Sequence, residues 1–275
     1  MQTTSLKDKI VFITGASRGI GREIALRLAK EGAKIVIAAK TEQPHPTLEG
    51  TIHSVAKEVE AAGGTAFPIM LDVRDEAKVH ESLAQVVAKF GGLDILVNNA
   101  SAIFLAPTLE TPMKRFDLIF SVNVRATFLC SAACIPHLKQ AKNPHILNLS
   151  PPLNMEPKWF KDHLAYTMSK YGMSMCTLGM AEEFKSAGIA VNSLWPRTTI
   201  ATAAIAVNFP KEILRASRKP SIMADAAYEV LTSDSRKTTG NFFIDEDLLK
   251  ARGVTDFSHY ALDSKVPLFT DLFLD

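Results

Sequence analysis

The chain has 275 residues, of which 47% are hydrophobic and 22% charged, with a formal net charge of +2. That length fits one large α/β domain better than two small ones, and the apolar share is enough for a large buried core. So small a charge, with no basic stripe, argues against a nucleic-acid partner, and no apolar stretch approaches the roughly 18 residues of a membrane helix.

In chain order, apolar runs of strand length alternate with longer helical patterns. Strands are predicted over residues 10–13, 34–39, 66–71, 94–98, 145–149, 189–194 and 241–244. Between them come helices ending near residue 30 and spanning about 51–62, 76–90, 113–137, 165–184 and 224–231. Gly32, Gly63-Gly64 and Gly91-Gly92 close the first three. Continuous Val/Ile/Leu strands separated by helices predict a parallel sheet covered on both faces. Right-handed crossovers then give a doubly wound seven-stranded sheet with a ligand crevice at the strand C-termini. Residues 41–50, 151–163 and 197–220 fall outside the alternation, the last being the expected lid, and 246–275 reads as an irregular tail.

The turn after the first strand is Gly15, Ala16, Ser17, Arg18, Gly19, Ile20, Gly21. A glycine-rich turn opening a helix offers backbone N–H groups and the helix dipole to a dinucleotide's phosphates. The second strand indicates which dinucleotide. NAD enzymes usually carry an acidic residue at its end to bind the ribose 2′-OH. Here Ala39 stands there, followed by Lys40, with Arg18 in the turn. Two cations attract a 2′-phosphate, so NADP(H) is the expected cofactor. Asp72, with Val73 after it, ends the third strand, where a carboxylate can accept from the adenine amino group or cap the next helix. Asn98-Asn99-Ala100 ends the fourth and offers short polar side chains to tie loops together.

Tyr166 and Lys170 lie at i and i+4, on one face of a predicted helix. A free tyrosine has a pKa near 10, and a nearby ammonium favours the phenolate. Tyr166 is then the general acid/base for a carbonyl oxygen, and Lys170 can also reach the nicotinamide ribose. The seven histidines form no cluster with metal-ligand spacing.

These elements together resemble the short-chain dehydrogenase/reductase family: residues 14–21, Asp72-Val73, Asn98-Asn99-Ala100, Asn123, Tyr166-x-x-x-Lys170 and 192–196. The resemblance implies one Rossmann-type domain over residues 1–275, NAD(P)-linked carbonyl–alcohol interconversion, and a homodimer or homotetramer. It adds Asn99 to the cofactor contacts, makes Asp72 an adenine contact, and gives Asn123 a water that relays protons to Lys170. Residues 38–46 and 149–154 are similar to the hydroxysteroid dehydrogenase-like proteins, a likeness that establishes no steroid substrate.

Three departures stand out. The family's catalytic serine position holds Pro151, which has no donor; Ser150, Asn154 or no replacement at all are the alternatives. The segment from Ser150 to Tyr166 is about three residues longer than usual, carrying Trp159, Phe160 and His163. Pro196-Arg197 and Asp245-Glu246-Asp247 replace the usual glycine-containing strand ends, so Thr199 and Thr202 are both candidates for the nicotinamide contact. The pocket is expected to be lined by residues 101–104, 153–160, Trp195 and 197–220, apolar and aromatic, for a small carbonyl or alcohol substrate, with Trp159 and Phe160 equally suited to plain core or an oligomer contact. Three cysteines that cannot all pair, and an N-terminus with no signal-peptide core, predict a cytoplasmic protein. The competing expectation is an NADP(H) sensor with impaired turnover.

Overall fold

The computed structural model describes residues 4–275. Among them, seven parallel strands are β1 (Ile10–Thr14), β2 (Lys34–Ala39), β3 (Thr65–Met70), β4 (Ile95–Asn98), β5 (His145–Asn148), β6 (Ala190–Trp195) and β7 (Phe242–Ile244). They form one sheet in the order β3-β2-β1-β4-β5-β6-β7. The order reverses between β1 and β4, which opens a crevice beyond their C-terminal ends. The helices are α1 (Gly19–Ala29), α2 (Ile52–Ala61), α3 (Glu76–Phe90), α4 (Met113–Ile119), α5 (Ala126–Leu138), α6 (Leu164–Glu183), α7 (Ala203–Asn208), α8 (Lys211–Arg215), α9 (Ser221–Leu231) and α10 (Asp245–Ala251).

Alternation along each strand sends side chains to opposite faces. Val11, Ile13, Ile35, Ile37 and Val97 pack with Ile24 and Leu28 of α1, Val55 of α2 and Met223 of α9. Ile10, Phe12, Val36 and Leu96 pack with Val79 and Leu83 of α3, Cys130 of α5 and Met180 of α6. Both faces are therefore covered, as the uninterrupted apolar strands predict. Each fully buried large side chain, such as Phe12 or Ile37, contributes about 1.5–3 kcal/mol. Local signals set the helix ends. Thr51 and Ser54 form a reciprocal capping box at α2, Asp75 caps α3, and Gly91 ends α3 in the left-handed region.

Three expectations are corrected. The helix expected over 113–137 is split by a π-helical segment, Phe120–Arg125, centred on the buried Asn123. The run Met113–Leu138 also contains an 18-residue window of mean hydropathy 1.7, apolar enough by composition to cross a membrane. Its α5 face, including Cys130, Cys134 and Leu138, is spent on the core. The stretch after β7 is not irregular throughout. It opens with α10, whose first turn carries Asp245, Glu246 and Asp247 at the favourable end of the helix dipole.

At the opposite end of the sheet from the crevice, His145 is fully buried at the start of β5. Its Nε2 lies 3.2 Å from the Ser233 carbonyl oxygen, and among the described residues its Nδ1 has no partner. Burial pushes the imidazole down to about 4.

Candidate active site

The crevice holds two adjoining clefts that share part of their walls. The larger, about 450 Å³, is lined by Gly15, Ser17, Arg18, Gly19 and Ile20 of the turn, by Lys40, Asp72 and Val73, and by Asn99. Gly15 has φ +66°, and a Cβ there would lie 2.9 Å from the Ala100 Cα. A Cβ on Gly21 would meet the Asn99 amide nitrogen at 2.5 Å. These glycines let β4's end close against the turn, and Asn99 Nδ2 donates to the carbonyls of Thr14 and Gly15. Ala16 is fully buried behind the turn. At the head of α1, Arg18 makes no side-chain cap and the first turn has no acidic residue, so the helix N-terminus is open to an anion. A cleft of this size with such a cradle fits a dinucleotide.

The cations are divided. Lys40 has a side chain 63% exposed, 4.0 Å from Asp72. Arg18 donates to the carbonyls of Glu49 and Gly50 at 2.9 Å and to Thr41 Oγ1 at 3.3 Å, so it latches the 41–50 loop onto the turn. Asp72 does not cap a helix. Arg74, which sequence reasoning missed, grips its carboxylate through Nε and Nη2 and holds it below the usual carboxylate range.

The smaller cleft, about 150 Å³, is lined by Tyr166, Lys170, Ser101, Ile103, Trp195, Phe209 and Asp271, and shares Ile20, Asn99 and Thr202 with the larger. Tyr166 is 6% exposed and Lys170 2%. Lys170 Nζ donates to the Leu149 carbonyl at 2.7 Å and sits 5.1 Å over the Trp195 ring. Burial, opposed by the Asp271 charge, pushes the ammonium down to about 7. The Tyr166 phenol is held above its ordinary value by burial and then by the Asp271 charge. This direction is opposite to the lowering expected from the Tyr166–Lys170 spacing.

The cause is a strap, residues 269–274, folded over the cleft. Phe273 is seated among Tyr166, Tyr171, Trp159 and Trp195. Leu153, Trp159 and Phe160 belong to this cluster and do not line the small cleft, which corrects the wall expected of Leu153 and agrees with the core reading of Trp159 and Phe160. No local sequence pattern marks the strap.

The other residues sort clearly. Asn123 uses all four hydrogen-bonding positions of its amide. It accepts from Ala102 N–H and Ser101 Oγ–H, and donates to the Ala102 carbonyl and Ser169 Oγ. Its side chain therefore ties the β4 loop to α6. Ser150, 1% exposed, bonds Ser193 Oγ at 2.8 Å, in a buried chain that continues through Thr177, Asn148 and Asn98. Asn154 faces Asp275. Neither is among the residues lining the small cleft. Thr202 lines both clefts, whereas Thr199 is bonded to Ser217 in the core. His163, its imidazole pushed below its ordinary value by burial, bonds Thr167 at 2.9 Å. The 197–220 segment carries α7 and α8 and is bridged to the tail at Thr198–Thr270 and Arg218–Ala261.

Comparison with known proteins follows the same lines. A family model described as short chain dehydrogenase matches residues 9–212. Hydroxysteroid dehydrogenase-like protein 2 of Danio rerio is 58% identical over 99% of this chain and 65% of its own length. The Mus musculus protein of that name is 58% identical over 99% of this chain and 55% of its own. The chain thus spans between about half and two thirds of these relatives. A short chain dehydrogenase from Mycobacterium thermoresistibile superposes with a TM-score of 0.93 at 51% identity, covering 98% of this chain and 96% of that one. A metagenomic short-chain oxidoreductase in complex with NADP gives 0.73 at 27% identity, covering 88% and 98%. One from Mycobacterium paratuberculosis bound to NAD gives 0.74 at 24%, covering 87% and 97%, a likeness of fold alone.

Proposed function

The chain belongs to the short-chain dehydrogenase family of oxidoreductases, and from that premise we propose an NADP(H)-dependent enzyme that interconverts a carbonyl and an alcohol. The observation that carries this is that the two clefts share the wall of Ile20, Asn99, Ser101 and Thr202, with Tyr166 and Lys170 on one side and the glycine turn and Lys40 on the other. The bound nicotinamide supplies or accepts hydride. Tyr166 donates its phenolic proton to the substrate oxygen in reduction and recovers it in oxidation. Lys170 is placed to hold the ribose side of the cofactor, and Asn123 fixes α6 beneath both.

The wall of Ile103, Trp195, Ile200, Ile205 and Phe209 favours an apolar substrate. A homo-oligomer belongs to the same proposal, supported by the exposed Phe128 on α5 and the exposed Met175 and Leu178 on α6. NADPH oxidation against a panel of apolar aldehydes and ketones tests the activity, and calorimetry with NADPH and NADH tests the cofactor. Equal or tighter NADH binding removes the NADP(H) choice.

A second function, an NADP(H) sensor with slow turnover, is favoured by one feature. Tyr166 is packed under Phe273 of the strap, and the Ser150 hydroxyl is bonded to Ser193. Tight NADPH binding with no carbonyl reduced across the panel would select it.

A further inference from the structure

Within the small cleft, Asp271 is the only carboxylate and Lys170 the only cation among the lining residues. We propose that Asp271, carried in by the strap, is a positioning residue whose carboxylate keeps the Lys170 ammonium charged. The proposal rests on the Tyr166–Lys170 assignment made above.

The strap is fixed on both sides of Asp271. Its own N–H donates to the Arg197 carbonyl at 3.1 Å, and the Phe269 N–H to Ala216 at 2.9 Å. Trp195 Nε1 donates to the Leu272 carbonyl at 2.9 Å, and Phe273 anchors the aromatic cluster. Asp271 Oδ1 accepts from the Leu272 N–H at 2.7 Å. Among the described residues no donor is shown to Oδ2.

Burial acts on both partners. It pushes Lys170 down to about 7 and Asp271 up to about 7, and each charge opposes the other's neutralisation. An isolated buried ammonium would lose its proton more readily. The remaining groups do not substitute for the pair. Asp245, at the head of α10, faces Asp271 with a like charge and is itself occupied by the N–H groups of Arg197 and Glu246. The Arg197 guanidinium turns to Asp247, and Arg218 to Glu246. His163, against Tyr166 and Phe273, is pushed below its ordinary value by burial. The carboxylate also faces the phenol, where its charge holds the proton on Tyr166. Asp271 thereby keeps the pair as phenol and ammonium, the form that gives a proton to a carbonyl.

The test is an NMR titration of protein labelled with ε-¹³C lysine, the Lys170 signal being assigned by its loss in Lys170→Met. In the unsubstituted protein Lys170 titrates near pH 7, and in Asp271→Asn it titrates lower by about one pH unit or more. Asp271→Glu restores the position. If Asp271→Asn does not fold, Asp271→Ser is read in its place. An unchanged titration in a folded variant overturns the proposal. The titration needs neither cofactor nor substrate, so a shift without any carbonyl turnover leaves the pair standing and removes only the proposed chemistry. With an active protein, Asp271→Asn turns over roughly tenfold more slowly at neutral pH and recovers as the pH is lowered. A loss equal at every pH marks a merely structural residue.

Discussion

The two ends of the crevice are built by opposite means. At the cofactor end, one continuous stretch, residues 15–21, supplies the cradle, and strand ends supply Lys40 and Asp72. The cleft is open and its chief cation is mostly exposed. At the reaction end, α6 supplies Tyr166 and Lys170, while a strap about a hundred residues later covers them. There burial moves both side chains toward their neutral forms. Local geometry suffices to hold a phosphate, because backbone N–H groups carry the interaction. Proton transfer depends on the electrostatic surroundings, which tertiary contacts alone determine.

The largest expected effect lies at the reaction end. Tyr166→Phe should lower turnover on any accepted carbonyl by about 10²–10⁴ while NADPH affinity, measured by calorimetry, stays the same. Near-full activity would mean that the phenol is not the donor, and the contrast between the ends would lose its basis.

Next comes the sheet beneath both. His145 has a folded-state pKa of about 4 against about 6.5 when unfolded, so between these values the unfolded chain binds more protons. Stability is full above about pH 6.5 and falls as pH drops toward 4, by about 3 kcal/mol at most. Urea melts across that window should show the fall, and His145→Phe should flatten it.

Gly15→Ala tests the cradle. At φ +66° with a backbone atom 2.9 Å from the new methyl, it should cost about 1–3 kcal/mol of stability and weaken nucleotide binding. A Tm and an NADPH affinity equal to those of the unsubstituted protein would show that the turn tolerates side chains.

Lys40→Ala should weaken NADPH roughly tenfold, about 1.4 kcal/mol, and leave NADH unaffected. An equal loss for both nucleotides would move the 2′-phosphate contact elsewhere.

The smallest effect separates core from site. Ser150→Ala should cost about 1 kcal/mol of stability through its lost hydrogen bond, with no change in turnover. A hundredfold drop in turnover would return Ser150 to the reaction.

Legibility in the sequence followed the same division. The glycine turn, the Tyr–Lys spacing and the seven strands were readable because each depends on neighbours in the chain. Lys34–Ala39 and Glu76–Phe90 have the expected bounds. Arg18 was read for its charge, whereas its guanidinium is used on the carbonyls of the 41–50 loop. Ser150 was readable as a hydroxyl but not as one turned toward Ser193 across β6. Trp159 and Phe160 could be read as pocket wall, core or oligomer contact alike, because Phe273, on which Trp159 packs, is more than a hundred residues away. Asp271 carried no signal, since a lone aspartate in a tail resembles any solvated residue until the strap is folded.

The strap also has an optical consequence. The chain contains two tryptophans, and both pack on Phe273, Trp159 at 6.0 Å and Trp195 at 5.8 Å between ring centroids. Lifting residues 269–274 off the cleft would expose both indoles to water at once. Intrinsic fluorescence therefore reports on this one segment without a dye or a label, and a red shift on adding a carbonyl would time the opening of the site directly.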